Sequence, residues 1–304
     1  MQRQRLNWEE VWGYGLLILA ACFWGSAASL GKSLMRQGIS TFMLMQVRSI
    51  FTALVLLVAI VPFARQHLRI QLSDLWAFLL FAIPGLALVN ASYYYAVRVL
   101  PVAIAVFIQF SAPVLVFLYG LVRKTEVASR AKIAALALSM IGTFFMVRLH
   151  QLGSQNLPWL GLASAFVAML SYAFYLIISH DLSRKYSPWT MIVYGYGLAA
   201  IFWCLIQPPV KTVAVLNEKN LWLLAFGFSL SSTLIPFTLF LMGLRRVTPT
   251  GAAIASTSET VTATLFAYLF LGETLVPIQV FGALCILSAI LILIQRPTIV
   301  EEPV

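Results

Sequence analysis

PVAIAVFIQFSAPVLVFLYGLVRKTE, residues 101–126, carries no charged side chain until Arg123 and then turns basic and acidic within four positions. A hydrocarbon core about 30 Å thick takes about 20 helical residues to cross. The uncharged stretch 101–122 is long enough to do so. It is continuous rather than an alternating strand of about ten residues, which selects a spanning helix over a barrel. A second segment, PTGAAIASTSETVTATLFAYLFLGET, residues 249–274, follows the same plan. Each opens with proline just after a basic end, runs one span, reaches a glutamate and enters another span. Ser111 and Ser258 are 147 positions apart, as are Glu126 and Glu273, while Pro101 and Pro249 are 148 apart.

Working outward, ten apolar runs can be marked, near 12–31, 41–62, 75–96, 101–122, 131–149, 158–179, 189–208, 221–243, 249–271 and 276–295. The composition agrees, with 61% hydrophobic and 10% charged residues in 304. A water-soluble domain is near half apolar and a quarter charged. The expected fold is therefore an all-α integral membrane protein with ten transmembrane helices and short connections. The N-terminal MQRQRLNWEE lacks a cleavage site of small residues followed by a polar domain, so the first run is expected to be a retained helix.

The net charge of +10 would suit nucleic acid in a soluble protein, but here the basic residues sit between apolar runs. With the N-terminus inside, thirteen Lys and Arg fall on the cytoplasmic side, six outside, and Arg48 within the second run. That bias predicts both termini in the cytoplasm and an even number of spans. Five spans per half is odd, so the halves 1–150 and 151–304 are expected to face opposite ways as an inverted repeat. Cys22, Cys204 and Cys285 lie in apolar runs without CxxC spacing, and His67, His150 and His180 fall in loops or at span ends. No disulfide framework, metal site or cofactor is expected.

The first span carries FWGSAASLGKSL, residues 23–34, and the second QVRSIFTALVLL, residues 46–57. The ninth and tenth read SETVTATLFAYLFLGETLVPIQVFGALCILSAILI, residues 258–292. With Trp24-Gly25, Arg48, Leu271-Gly272-Glu273 and Pro277-Ile278-Gln279, the chain resembles the EamA-type transporters of the drug/metabolite transporter superfamily over nearly its whole length. The resemblance implies ten helices, alternating access and a central cavity lined by spans 1, 3, 4, 6, 8 and 9. Two positions depart from the family pattern. Glu259 is followed by Thr260 where members often have Glu-Pro, and the first-half turn reads Arg123-Lys124-Thr125-Glu126. Members move amino acids, sugars, nucleotide derivatives, quaternary amines and dyes, so the resemblance names no solute.

Glu259 is the one acid deep inside an expected span. A carboxylate there is costly and usually faces the bundle interior or a wet cavity. It either binds a cationic group or coupling proton, or it hydrogen-bonds a neighbouring helix. Ala252, Ser256, Ala263 and Phe266 are expected on its face, with Gln109 the first-half counterpart of Ser256. Asn90 and Tyr94 share a face of span 3, and Tyr172 and Tyr175 one of span 6. Tyr93, Tyr94 and Tyr95 are adjacent and cannot all point one way. With Trp24 and Phe237 these rings either box an organic cation or amine beside the acid, or pack. Pro84 and Pro236 break spans 3 and 8 and either permit gate bending or fix static bends. Arg48 either anchors a helix or gates, and Lys32 can snorkel from the end of span 1. Glu126 and Glu273 are expected to cap the helices that follow them.

These residues suit a secondary carrier moving a small polar metabolite, an amino acid or related amine, by export or exchange. A multidrug or quaternary-cation exporter is the alternative, and a channel or non-transporting scaffold a more distant one. The expected partners are the solute, the bilayer and a coupling proton, without nucleic acid. No HExxH, GxSxG or GxxxxGK stretch points to catalysis or direct ATP drive.

Overall fold

A computed structural model describes residues 7–63, 68–153 and 156–295. Arg3, Arg5, Arg65, His67 and Arg296 fall outside it, as does the side chain of Lys32. The described residues form helices and no strand. Helix α1 runs Trp8–Arg36 and begins where the Asn7 side chain accepts the Glu9 N–H at 3.1 Å, with Glu9 and Glu10 in its first turn and Arg36 in its last. That charge order complements the helix dipole. Helix α2 spans Thr41–Phe63.

The third apolar run is one interrupted helix. Helix α3 (Leu75–Leu80) passes through a wide turn at Phe81–Ala87, built round Pro84, into α4 (Leu88–Val99). In the second half α11 (Trp222–Ser229) passes through a similar turn at Leu230–Leu234 into α12 (Ile235–Leu244), with Pro236 just beyond. The fourth run breaks into α5 (Val102–Gln109) and α6 (Ala112–Val122). Helices α7 (Arg130–Met146), α8 (Trp159–Lys185), α9 (Pro188–Ile206) and α15 (Pro277–Gln295) are continuous. A short helix α10 (Pro209–Glu218) lies between α9 and α11 and buries Thr212 and Leu216. The ninth run breaks at Thr257 into α13 (Pro249–Ser256) and α14 (Ser258–Leu271), which ends at Gly272 with φ 69°.

Among the described residues, eight helical stretches are long and apolar enough to cross a membrane. The runs expected near 131–149 and 249–271 are not among them. Helix α7 has 17 residues and opens with Arg130 and Lys132, and the other run is divided at Thr257. The division falls between Ser256 and Glu259, two of the residues expected on one helical face with Ala252, Ala263 and Phe266.

Helices α7 and α15 pack along each other, as do α1 with α12 and α14, α2 with α9, and α4 with α8. Backbone meets backbone where α7 crosses α15. A Cβ on Gly142 would lie 2.6 Å from Ile286 Cγ1 and 2.7 Å from Gly282 O, and one on Gly282 would lie 2.8 Å from Gly142 O. Small residues permit this approach, which drives helix association in lipid by close packing. Gly142→Val is expected to cost about 1–3 kcal/mol by overpacking. A lower melting temperature in detergent would report it, and an unchanged one would mean that the seam yields without cost.

Candidate functional site

A cavity of about 400 Å³ occupies the middle of the bundle. Its walls come from α1 (Trp24, Ala27, Gly31), α2 (Arg48), α4 (Asn90, Tyr93, Tyr94), α5 (Gln109) and α8 (Tyr172, Tyr175), with Ser232, Phe237 and Glu259 from the second half. It extends toward the end of the bundle where Met35, Val97 and Val102 line it, and Val102 is 55% exposed. Toward the other end, aromatic and aliphatic side chains fill the space. Tyr175 packs on Phe240 at 5.8 Å and on Phe237 at 6.0 Å between ring centroids, and Trp24 packs on Phe237 at 5.0 Å. Leu17, Leu241 and Leu244 are buried as well.

Arg48 is buried and hydrogen-bonded to neutral groups. Its Nε donates to Thr233 Oγ1 at 2.9 Å, Nη1 to Asn90 Oδ1 at 3.1 Å, and Nη2 to Ser232 O at 3.2 Å. The guanidinium carbon lies 5.9 Å from the centroid of the Phe237 ring. The carbonyl of Ser232 also accepts the Trp24 indole N–H at 3.2 Å. In an unbroken helix this carbonyl would take the N–H four residues on, but that residue is Pro236. The proline therefore frees an acceptor in an apolar interior, and Arg48 and Trp24 fill it. The wide turn closes instead through Ile235 N–H to Leu230 O.

Glu259 lies in the first turn of α14, where a carboxylate complements the helix dipole. Its side chain has no hydrogen bond and no ion pair among the described residues, and it faces the cavity. The positive charge of Arg48 lies near enough to act on it. Helix α14 is held against α1 by Thr262 Oγ1, which donates to Ala21 O at 2.9 Å. Gly25 makes room for that contact, since a Cβ there would lie 2.7 Å from the Ala263 nitrogen. The Trp24-Gly25 pair thus puts the indole into the cavity wall and lets the glutamate-bearing helix come close.

Gln109 ends α5 on the cavity wall, and its buried Oε1 has no hydrogen-bond partner among the described residues. Asn90 is partly engaged, since one amide N–H donates to Leu86 O at 2.6 Å while its oxygen holds Arg48, which leaves its second N–H. Tyr93 and Tyr94 line the cavity and Tyr95 points away, 42% exposed on the outer surface. Ser256 departs from expectation. It is buried, its hydroxyl donates back to Ala252 O at 2.8 Å, and it does not line the cavity. Ser232 was not singled out by sequence reasoning. Its signal is Pro236 four positions on, which leaves its carbonyl without a helical partner.

The model of the EamA-like transporter family matches the chain twice, over residues 11–148 and 159–295. The chain belongs to this family. An uncharacterized transporter of Archaeoglobus fulgidus is 30% identical over 212 residues, covering 68% of this chain and 74% of its own. The uncharacterized inner membrane transporter YicL of Salmonella typhimurium is 27% identical over 292 residues, covering 91% and 93%. The threonine/homoserine exporter RhtA of the same species is 26% identical over 278 residues, covering 90% and 88%. A crystal structure at 18% identity shares the fold, with a TM-score of 0.72 over 92% of this chain and 95% of the other. This EamA-like protein is a multi-pass transporter of the bacterial inner membrane.

Proposed function

We propose that this transporter is a secondary carrier that exports or exchanges small zwitterionic metabolites, amino acids above all, by alternating access. The observation that carries this is a pair of opposite charges that line one cavity without forming a salt bridge. Neither Glu259 nor Arg48 forms a salt bridge among the described residues, and both line the same space of about 400 Å³, across which the charge of Arg48 acts on Glu259. An ammonium at Glu259 and a carboxylate beside Arg48 would neutralise both. A cavity of that size suits one small molecule. The exporter RhtA, a relative over most of the chain, is named for two amino acids of this kind.

The carrier has ten spans in two inverted halves, 1–150 and 151–304, with both termini cytoplasmic. The double family match supports the division into halves. Glu259 binds the amine or exchanges a proton for it. Gln109, Trp24, Tyr94, Tyr172, Tyr175 and Phe237 contact the solute, while Asn90 and Arg48 hold its anionic end. Pro84 and Pro236 sit where the bundle bends.

The aromatic wall around Glu259 favours a second reading, a quaternary-cation exporter. Counterflow in proteoliposomes separates the two. A labelled amino acid, its decarboxylated amine and a tetraalkylammonium would be compared at equal concentration. Saturable exchange of the amino acid, with the amine at least about tenfold slower, is expected from an Arg48–carboxylate contact. Preference for the tetraalkylammonium would replace the first reading with the second.

A further inference from the structure

At the closed end of the bundle, Glu126 does something other than cap the helix that follows it. Helix α7 has its own cap, Ser129, whose hydroxyl accepts the Lys132 N–H. The chain leaves α6 through Lys124 at φ 56°, and the N–H groups of Thr125 and Glu126 return to Gly120 O. This tight turn carries the Glu126 side chain back over Gly120, where a Cβ would lie 3.1 Å from Glu126 Cβ and Cγ. From there it reaches the opposite half. Glu126 Oε1 accepts the Thr250 N–H at 3.1 Å, at the start of α13, while Oε2 pairs with Lys132 Nζ at 2.8 Å. Both charged side chains are almost wholly buried, 3% and 1% exposed.

The first turn of α13 is completed by this contact. Pro249 has no N–H, Thr248 Oγ1 accepts from Gly251 at 3.2 Å, and Glu126 takes the remaining N–H of Thr250. At the open end the repeat-related groups stand apart. Glu273 follows α14 as Glu126 follows α6, and its exposed side chain has no hydrogen bond or ion pair among the described residues. Helix α5, the counterpart of α13, starts at Val102 with no side-chain cap. Lys132 is matched 147 positions on by Gln279, which is occupied with Val276 N–H and Met146 O.

We propose that Glu126 is a latch that holds one end of the carrier shut and that Glu273 is its alternate at the other end. When the halves rock, Glu126 leaves the N-terminus of α13 and Glu273 docks on the uncapped N-terminus of α5. Only the Glu126 latch has a buried cation, so the observed state, closed at the Glu126 end, is the preferred one. A buried charge must either keep its partner or regain water, so the latch favours two discrete positions. This rests on the alternating-access reading.

The test reads both ends in full-length protein in proteoliposomes, by the rate at which a maleimide labels single introduced cysteines. Ala253→Cys reports the closed end and Val97→Cys the open one, with the three native cysteines measured in parallel. The double variant Glu126→Gln/Lys132→Met removes the latch without leaving a charge buried alone. It is expected to label Ala253→Cys at least about tenfold faster and Val97→Cys more slowly, as a shift between two states requires. Adding Glu273→Gln is expected to return reactivity at Val97→Cys. Unchanged labelling at both ends in a folded double variant overturns the latch, and so does a double variant that cannot fold, which would make the pair a structural brace. Wild-type counterflow is scored separately, and its absence would sink the carrier and not the latch alone.

Discussion

Glu259→Gln is expected to lower the initial rate of amino-acid counterflow by at least about thirtyfold while the protein stays folded. Truncating one partner of a desolvated charge pair costs about 2–5 kcal/mol, which spans about thirtyfold to several thousandfold. The ammonium of the solute would lose its counter-charge in a cavity whose other walls are mostly aromatic. Folding should not suffer, because no protein group depends on this carboxylate for a hydrogen bond among the described residues. Neutralising an uncompensated acid inside a membrane protein removes a cost, so the melting temperature is expected to hold or rise. A second measurement divides binding from coupling. If Glu259 carries only the proton, the glutamine variant keeps counterflow and loses the response to an imposed pH gradient. A variant that matches wild type in both assays would make Glu259 a bystander and shift the site to Gln109 and the tyrosines.

Arg48→Met is expected to act in the opposite way, lowering stability as well as transport. Three oxygen acceptors surround the guanidinium, with Met45 Sδ at 3.9 Å, but they are not equally dependent on it. Ser232 O keeps the Trp24 indole, and Thr233 Oγ1 keeps its contact with Ser232 Oγ at 3.1 Å. Asn90 Oδ1 loses its partner, and one orphaned buried acceptor costs about 1–3 kcal/mol. The melting temperature should fall accordingly. Transport of the amino acid should fall more than transport of its decarboxylated amine, narrowing the preference between them at least about tenfold. Equal loss for both solutes would make Arg48 purely a brace between α2, α4 and the turn at Leu230–Leu234. Arg48→Lys should not rescue, because one compact ammonium cannot reach three acceptors spread round the fork of a guanidinium.

Much of this architecture is written in the chain because bilayer crossing imposes coarse rules. Run length and hydropathy mark the helices, and a lone acid within a span marks Glu259. What escapes are features decided by contacts between distant segments. The break of the ninth run is one, since neither proline nor glycine stands at Thr257 to announce it. Glu126 looks like a local cap, since Ser129 and the start of α7 follow at once, yet its side chain turns back across Gly120 to a helix more than a hundred positions away. Helix α10 escapes because Gln207-Pro208-Pro209 reads as a loop, although prolines in the first turn also begin helices. Tyr93, Tyr94 and Tyr95 show the middle ground. Adjacency says that they diverge, and only packing says that Tyr95 is the one facing outward.

Pro236 has a consequence for anyone seeking a sturdier version of this protein. By a count of main-chain bonds it is a flaw, and exchanging it for alanine would mend the ladder by giving the Ser232 carbonyl its ordinary partner. The same repair would make that oxygen compete with the Arg48 and Trp24 donors that now share it. Thermostabilising selection would therefore reward a change that erodes the work of the molecule, and the weakest stretch of α12 is the one least open to improvement.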